Sequence, residues 1–381
     1  MLDMVRSREA FEASEDFTVG LEEEFQILDP ETRSLTQRFE ELRDAAEGDE
    51  ILFEAISGEL ISSEIEIRSG RGATFAEALA RQREARARLF ALAEASGVVL
   101  AATGTHPWSP WHEQHIIDTD HYQRLLEGLG YVARRNNTFS LHVHVGIQGP
   151  DRAIAVCDRL RSVLPELLAI SASSPFLDGH DSGLASVRSQ IFTKSFPRCG
   201  IPEPFGDFAS YAAHVELLKR TRSIVESTQL WWSVRPHHAF GTVEVRICDA
   251  QPSAADSNAL AALIVACVAQ TALDLDAGVA VEPPSGRLLE ENLWRAIRFG
   301  LDGHMIDLDR LEEYPAAAIG DRLLAWTAPA RSELGLDPVI AAENATQRQR
   351  HALRAGATIA EAFATEMAAG QRTYATEEVT T

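Results

Sequence analysis

Carboxylates, imidazoles and guanidinium groups recur at every second position of four short apolar segments. The segments are FTVGLEEEFQIL (17–28), ISSEIEIR (61–68), FSLHVHVGI (139–147) and TVEVRIC (242–248). Alternation with period two is typical of a β-strand with one buried face, so each segment is predicted to collect its polar side chains on one side. Those side chains are Glu22, Glu24, Glu64, Glu66, Arg68, His142, His144, Glu244 and Arg246.

A shared sheet would bring these nine side chains together on one polar face. Crowded carboxylates repel one another and raise each other's pKa, and a divalent cation relieves that repulsion. Oxygen ligands suit Mg²⁺ or Mn²⁺, and arginine suits phosphate oxygens. The face is therefore predicted to be a metal and phosphate site.

Three of these motifs have other interpretations. His142 and His144 alone are compatible with a zinc or iron site, and hence with a metal-dependent hydrolase or oxygenase. They are also compatible with a hydrogen-bonded structural pair. Glu244 with Arg246 is compatible with a cross-strand ion pair, and the glutamates of 22–24 with a solvated edge strand. In the metal-site interpretation Glu23 faces the opposite side, where it needs an arginine or a backbone donor.

Composition narrows the class of protein. The chain has 381 residues and a formal net charge of −22, which argues against nucleic acid or an anionic membrane as a partner. Its four cysteines form no CxxC pair, so no zinc knuckle or thioredoxin motif is indicated. The first 16 residues lack an apolar core, and the longest apolar run, 259–269, is shorter than the roughly 20 residues of a membrane span. We expect a cytoplasmic protein.

Nucleotide-binding glycine motifs are absent: the sequence has neither GxxxxGK[ST] nor GxGxxG. If the protein binds ATP, metals and arginines must hold the phosphates.

The order of the elements predicts an α+β fold. Amphipathic strands separated by helices favour a mainly antiparallel, curved sheet with helices on one face and an open polar face for catalysis. We expect a single catalytic domain, 1–381. Its predicted parts are an N-terminal lead-in (1–15), a sheet-bearing core (16–281), a C-terminal helical part (282–369) and a frayed tail (370–381), with a long irregular stretch at 175–204.

Seven segments, in order along most of the chain, resemble the type 2 glutamate–cysteine ligase family of carboxylate-amine ligases, which has the glutamine synthetase-like fold. They are VGLEEEFQILD (19–29), SEIEIRSG (63–70), NNTFSLHVHVGI (136–147), SGLASVR (182–188), WWSVRPHHAFGTVEVRICDAQPS (231–253), ENLWRAIRFGLDG (291–303) and ATQRQR (345–350). Each motif is modest alone, and their joint order makes the match specific.

The resemblance implies an ATP-dependent ligase. Such an enzyme joins the γ-carboxylate of glutamate to an amine, typically that of cysteine, through a γ-glutamyl phosphate. The implied metal cofactor is Mg²⁺, with Mn²⁺ as an alternative. The resemblance is also compatible with a homo-oligomer. Besides the ligase and the metal-dependent hydrolase or oxygenase, a third alternative is a non-catalytic protein of the same fold that binds ATP or glutamate.

Site residues follow from the resemblance by position. The implied metal ligands are Glu22, Glu24, Glu66, His142 and Glu244. The implied substrate- or nucleotide-binding residues are Arg188, Arg235, Arg246 and His144. The implied catalytic residues are Arg246, Glu244 and Glu24.

Overall fold

The structure is a computed structural model, which describes residues 3–225 and 229–376. Its strands are β1 (Val19–Leu28), β2 (Ile56–Ser57), β3 (Glu64–Arg68), β4 (Val99–Ala101), β5 (Ser140–Gly146), β6 (Phe176–Leu177), β7 (His180–Asp181), β8 (Cys199–Gly200), β9 (Trp231–Trp232), β10 (Val234–His237), β11 (Thr242–Asp249), β12 (His304–Asp307) and β13 (Glu312–Pro315).

Helices fill the connections between these strands and most of the C-terminal third. They are α1 (Met4–Glu12), α2 (Phe39–Ala45), α3 (Glu50–Ala55), α4 (Phe75–Ala95), α5 (Asp120–Leu129), α6 (Pro150–Leu160), α7 (Leu164–Ser171), α8 (Val187–Ser195), α9 (Phe208–Arg220), α10 (Ala254–Asp276), α11 (Gly286–Phe299), α12 (Ile319–Trp326), α13 (Ala328–Leu334), α14 (Ala345–Arg354) and α15 (Ile359–Ala375).

One antiparallel sheet organises the molecule. Its strand order is β10-β11-β5-β1-β3-β2, and β4 also pairs with β1. The four segments with alternating polarity supply β11, β5, β1 and β3, which are consecutive neighbours in this order. The predicted antiparallel sheet is confirmed.

Helices cover the apolar side of the sheet. Helix α4 packs on β1 and β3, α10 packs on β5, and α6 and α7 pack on β11. The odd-numbered apolar residues of β1 are at most 2% exposed, because they point into this layer: Val19, Leu21, Phe25 and Ile27. The other side of the sheet therefore carries the even-numbered polar residues, as the alternation predicts.

The C-terminal part differs from the prediction in two places. Strands β12 and β13 form a hairpin within the segment predicted to be helical. The predicted frayed tail is wrong for its first residues, because α15 continues to Ala375 and packs Tyr374, 1% exposed, against Phe25 and Phe90. Residues 377–381 of that predicted tail lie outside the described residues.

The stretch 175–204 is also more regular than predicted. It contains α8, whose first turn is capped by Ser186 accepting a hydrogen bond from the Ser189 amide. The sequence of α8 has no apolar stripe, so periodicity does not reveal it.

Within the described residues, one helix, α10, has the length and apolar composition of a membrane span. Of that apolar window, 72% is buried inside the fold, as is typical of a core helix.

Candidate active site

The strand register brings the predicted polar residues side by side. Glu22 of β1 pairs with His142 of β5, and Glu24 pairs with Glu66 of β3. On the other side of β5, His144 pairs with Glu244 of β11. Residues more than two hundred positions apart in the chain thus form one continuous polar surface, which we call the polar face.

The polar face is recessed rather than fully open. The side chains of Glu66, His142 and His144 are about 4–6% exposed, and that of Glu244 is 0% exposed. Buried charges are costly unless an opposite charge or a metal compensates them, so this burial needs a compensating group.

Three groups of side chains on the polar face have the spacing of metal ligands. The ligand atoms within each group lie within 4.8 Å of one another. The groups are Glu22 with Glu66 and His142, Glu22 with His144 and Glu244, and Glu24 with Glu59 and Glu66. Because Glu22 and Glu66 each belong to two groups, the three form one connected ligand set.

Glu59 is a site residue that the sequence analysis missed. It lies in the loop between β2 and β3, where no alternation marks it, yet it belongs to the same ligand group as Glu24 and Glu66. The signal that was available is an acidic residue two positions before the predicted strand 61–68.

Carboxylate crowding changes the protonation of one side of the polar face. Burial and the charge of Glu24 raise the pKa of Glu59 to about 7. Burial and neighbouring carboxylates also raise the pKa of Glu64 and Glu66 well above the ordinary value. A divalent cation would replace the protons that these groups otherwise need, so the donor set fits such an ion.

The other side of the polar face is balanced by cations. Burial would raise the pKa of Glu22, but the charge of His144 and hydrogen bonds from His142 and His144 hold it well below the ordinary value. Burial would lower the pKa of His144, but Glu22 and Glu244 outweigh burial and raise it. Burial and the charge of Arg246 lower the pKa of His142.

His144 has an unsatisfied ring nitrogen. Its Nδ1 lies 3.0 Å from Thr242 Oγ1. Its Nε2 is buried, lies 3.2 Å from Glu22 Oε1 and 3.8 Å from Glu244 Oε1, and has no hydrogen-bond partner among the described residues. An imidazole nitrogen held between two carboxylate oxygens in this way fits a metal ligand. The structure therefore places His144, predicted to bind substrate, in a ligand group.

Two arginines enclose Glu244. Arg235 Nε donates to Glu244 Oε2 at 2.5 Å, and Arg246 Nη1 donates to Glu244 Oε1. Burial opposes ionisation, but these two guanidinium groups hold the pKa of Glu244 well below the ordinary value. Arg246 Nη1 also lies 3.5 Å from His142 Nδ1, so Arg246 reaches the centre of the polar face.

Glu24 and Arg188 differ in how they are held. Glu24 accepts hydrogen bonds from the Ser140 amide and, at 2.7 Å, from Ser140 Oγ. Arg188 lies at the start of α8 and donates to two backbone carbonyls of β11. Its Nη1 and Nη2 thus have protein partners, whereas its buried Nε has no hydrogen-bond partner among the described residues.

Glu23 faces the helical layer, as predicted for the residue between Glu22 and Glu24. Its carboxylate accepts hydrogen bonds from Arg86 at 2.6 Å, Gln82 at 2.7 Å and Ser257 at 2.5 Å. Both members of the Glu23–Arg86 pair are buried. Of the two expected kinds of partner, an arginine or a backbone donor, the structure supplies the arginine.

Comparisons with known proteins agree with this geometry. A protein of Sorangium cellulosum (strain So ce56), provisionally named glutamate–cysteine ligase 2, is 42% identical over 310 residues, covering 81% of this chain and 82% of the relative. A Rubrobacter xylanophilus protein, provisionally named glutamate–cysteine ligase 2-3, is 40% identical over 328 residues, covering 86% and 88%.

Solved structures share the fold at low sequence identity. A glutamate–cysteine ligase of Francisella tularensis, solved in complex with AMP, has a TM-score of 0.65 and 10% identity, covering 96% of this chain and 90% of its own. A bifunctional glutathione synthetase of Pasteurella multocida has a TM-score of 0.68 and 12% identity, covering 97% of this chain and 53% of its own. The model of glutamate–cysteine ligase family 2 matches residues 18–379. The chain belongs to glutamate–cysteine ligase family 2.

Proposed function

We propose that this protein is an ATP-dependent carboxylate-amine ligase that joins the γ-carboxylate of glutamate to the amine of a second amino acid, with cysteine as the first candidate. The observation that carries the proposal is the connected ligand set across four strands, with two arginines beside it. Family membership supports the same activity. It lends no support to a hydrolase or oxygenase built on His142 and His144.

The chemistry needs an activated carboxylate. A carboxylate is a poor electrophile, so one γ-carboxylate oxygen of glutamate attacks the γ-phosphorus of ATP and releases ADP. The amine then attacks the acyl phosphate, the C–O bond to phosphate breaks, and the products are the amide, inorganic phosphate and a proton. Both reactants of the first step are anions, so positioning and electrostatic stabilisation of the transferred phosphoryl group supply nearly all of the lowering of its barrier.

The arginines of the polar face lower that barrier. Arg246 is anchored on Glu244 by one nitrogen, Nη1, while its buried Nε has no hydrogen-bond partner among the described residues. A guanidinium fixed in this way can donate to phosphoryl oxygens without reorganising during transfer. Arg235, paired with the same carboxylate, places a second positive charge at this end of the face.

The three ligand groups fit Mg²⁺, with Mn²⁺ as the alternative. Glu22, Glu24, Glu66, His142 and Glu244 would hold it together with Glu59 and His144. Bound there, the metal would neutralise phosphate charge. The carboxylates and imidazoles orient one another across the strands, as the Glu22–His142 contact of 3.1 Å shows.

A product screen tests the proposal. Purified protein is incubated with ATP, Mg²⁺, glutamate and a panel of amino acids, and ADP and γ-glutamyl products are measured by mass spectrometry. We expect ADP release that requires both glutamate and an amine. Glu244→Gln should remove it, whereas Glu313→Gln, an exposed carboxylate on β13, should not. Thermal stabilisation by ATP or glutamate without turnover for any amine would overturn the proposal in favour of a binding protein.

We expect the enzyme to act in the cytoplasm on small molecules, without nucleic acid or a membrane as partner. The net charge of −22 supports this expectation.

A further inference from the structure

Asp249 and Arg188 form a buried ion pair beside the strand segment that carries Arg246. Arg188 Nη1 lies 3.5 Å from Asp249 Oδ1, and the two side chains are 5% and 0% exposed. We propose that this pair has a positioning role. It fixes the backbone of an irregularity in β11 and so orients Arg246 towards the polar face, without touching substrate. This inference rests on the proposed ligase function, because it assigns a role to Arg246 in that reaction.

Strand β11 contains a bulge at Arg246. Val245 pairs with Val143 of β5, whereas Cys248 pairs with Leu141, so three steps along β11 correspond to two along β5. A bulge redirects side chains and leaves backbone groups without ladder partners. Since these groups are buried, each needs a donor or acceptor from elsewhere.

Arg188 supplies the missing donors. Its Nη1 donates to the Ile247 carbonyl at 3.0 Å, and its Nη2 donates to the Arg246 carbonyl at 3.2 Å. The amide of Arg246 donates to the Ser233 carbonyl at 2.9 Å. Both backbone polar groups of Arg246 are therefore held from outside the β5 ladder, and one guanidinium spans the bulge.

Asp249 in turn holds the guanidinium in place. Its carboxylate accepts hydrogen bonds from Ser174 Oγ at 2.7 Å, Ser186 Oγ at 2.8 Å and the Ser173 amide at 3.0 Å. The backbone of Gly104 packs closely against this carboxylate, so that a Cβ at position 104 would lie 2.7 Å from the Asp249 carboxyl group. The carboxylate thus has a fixed position from which to orient Arg188.

The geometry requires the forked shape of arginine. A guanidinium donates in two directions in one plane, whereas the ammonium of lysine is a point charge and cannot reproduce the two-carbonyl contact. Arg188→Lys keeps the charge next to Asp249 but releases one carbonyl of the bulge. A displacement of about 1 Å at Arg246 would cost about 100-fold in turnover.

A double-mutant cycle tests whether Arg188 acts through Arg246. The variants are Arg188→Lys, Arg246→Lys and the double variant, each assayed for kcat and for KM of ATP and glutamate. We expect Arg188→Lys to lower kcat about 100-fold and to leave both KM values within about threefold. In the Arg246→Lys background the same change should cost less than about threefold.

A milder variant covers the case in which Arg188→Lys does not fold. Ser174→Ala removes one donor to Asp249 without changing charge, and it should lower kcat about fivefold, again only when Arg246 is present. The matched control is Arg152→Lys, in a peripheral pair with Asp16 and Asp276, which should leave turnover unchanged.

Losses that multiply in the double variant would overturn the inference. A selective rise in KM for one substrate with kcat intact would also overturn it, since that pattern identifies Arg188 as a direct substrate anchor. Both results presuppose an active wild type, so they leave the proposed function standing. A wild type without turnover for any amine would refute the proposed function and this inference together.

Discussion

Strand β1 carries three consecutive glutamates that the fold treats in two different ways. Glu23, on the helical side, has a buried arginine and two further donors. Glu22 and Glu24, on the other side, belong to groups of carboxylates and imidazoles that have the spacing of metal ligands. The helical side carries a structural ion pair, and the polar face carries the proposed metal ligands. The difference separates stability from function within three residues.

The largest expected effect is on turnover. Glu66→Gln removes one shared ligand and should lower kcat by about 1,000-fold. Because burial and neighbouring carboxylates raise the pKa of Glu66, its charge is unfavourable in the metal-free fold, and the metal-free melting temperature should stay level or rise. Activity assays and thermal unfolding in chelator measure both effects. Full activity in this variant would contradict the functional side of the comparison.

The opposite pattern is expected on the helical side. Glu23→Gln takes the carboxylate from buried Arg86 and should lower the free energy of unfolding by about 3 kcal/mol. Turnover per folded molecule should change much less, because Glu23 does not face the ligand set. Denaturant unfolding with parallel kinetics checks this, and a stable but inactive variant would refute the division between the two sides.

Metal should stabilise the polar face specifically. At a concentration of Mg²⁺ about 100 times its dissociation constant, wild type should gain about 2.7 kcal/mol per site. Glu66→Gln should gain less, and Glu23→Gln should gain as much as wild type. Equal stabilisation of all three by Mg²⁺ would indicate that the ion binds elsewhere.

The smallest expected effect is a pH dependence that Glu59 contributes. The pKa of Glu59 rises from 4.5 to about 7 in the fold, so the folded protein holds an extra proton between these values. The stabilising contribution is complete below pH 4.5 and is lost as the pH rises through about 7. Metal-free wild type should therefore lose stability over this window.

Glu59→Gln isolates that contribution. Its stability in chelator should fall less steeply between pH 5 and 7, by on the order of 1 kcal/mol. Denaturant unfolding at several pH values measures the difference between the two proteins. Parallel curves for wild type and variant would show that Glu59 keeps an ordinary pKa.

Local alternation was sufficient to predict the two sides of the sheet. The period-two patterns of β1 and β5 determine which face each side chain takes. Glu23 could therefore be placed on the helical side, where it needs an arginine or a backbone donor, and His142 on the polar side. These inferences depend on strand geometry alone. The pairing of the strands was not predicted, because spacing along the chain does not reveal which strands are neighbours; the register required the fold.

Other features depend on contacts distant in sequence and have no local signal. Glu59 lies in an irregular loop, and α8 lacks an apolar stripe. The partners of Arg188 are backbone carbonyls of a bulge about sixty residues later, which no side-chain pattern encodes. The resemblance identified Arg188 as a candidate site residue, but its contacts with Asp249 and β11 are visible only in the structure.

The central claim is that the polar face transfers a phosphoryl group to a carboxylate. Glutamate labelled with ¹⁸O in both γ-carboxylate oxygens tests it most directly. After turnover with ATP and an amine, the account predicts one ¹⁸O in the inorganic phosphate and one in the product amide. Phosphate without ¹⁸O, accompanied by γ-glutamyl product, would contradict the acyl-phosphate route.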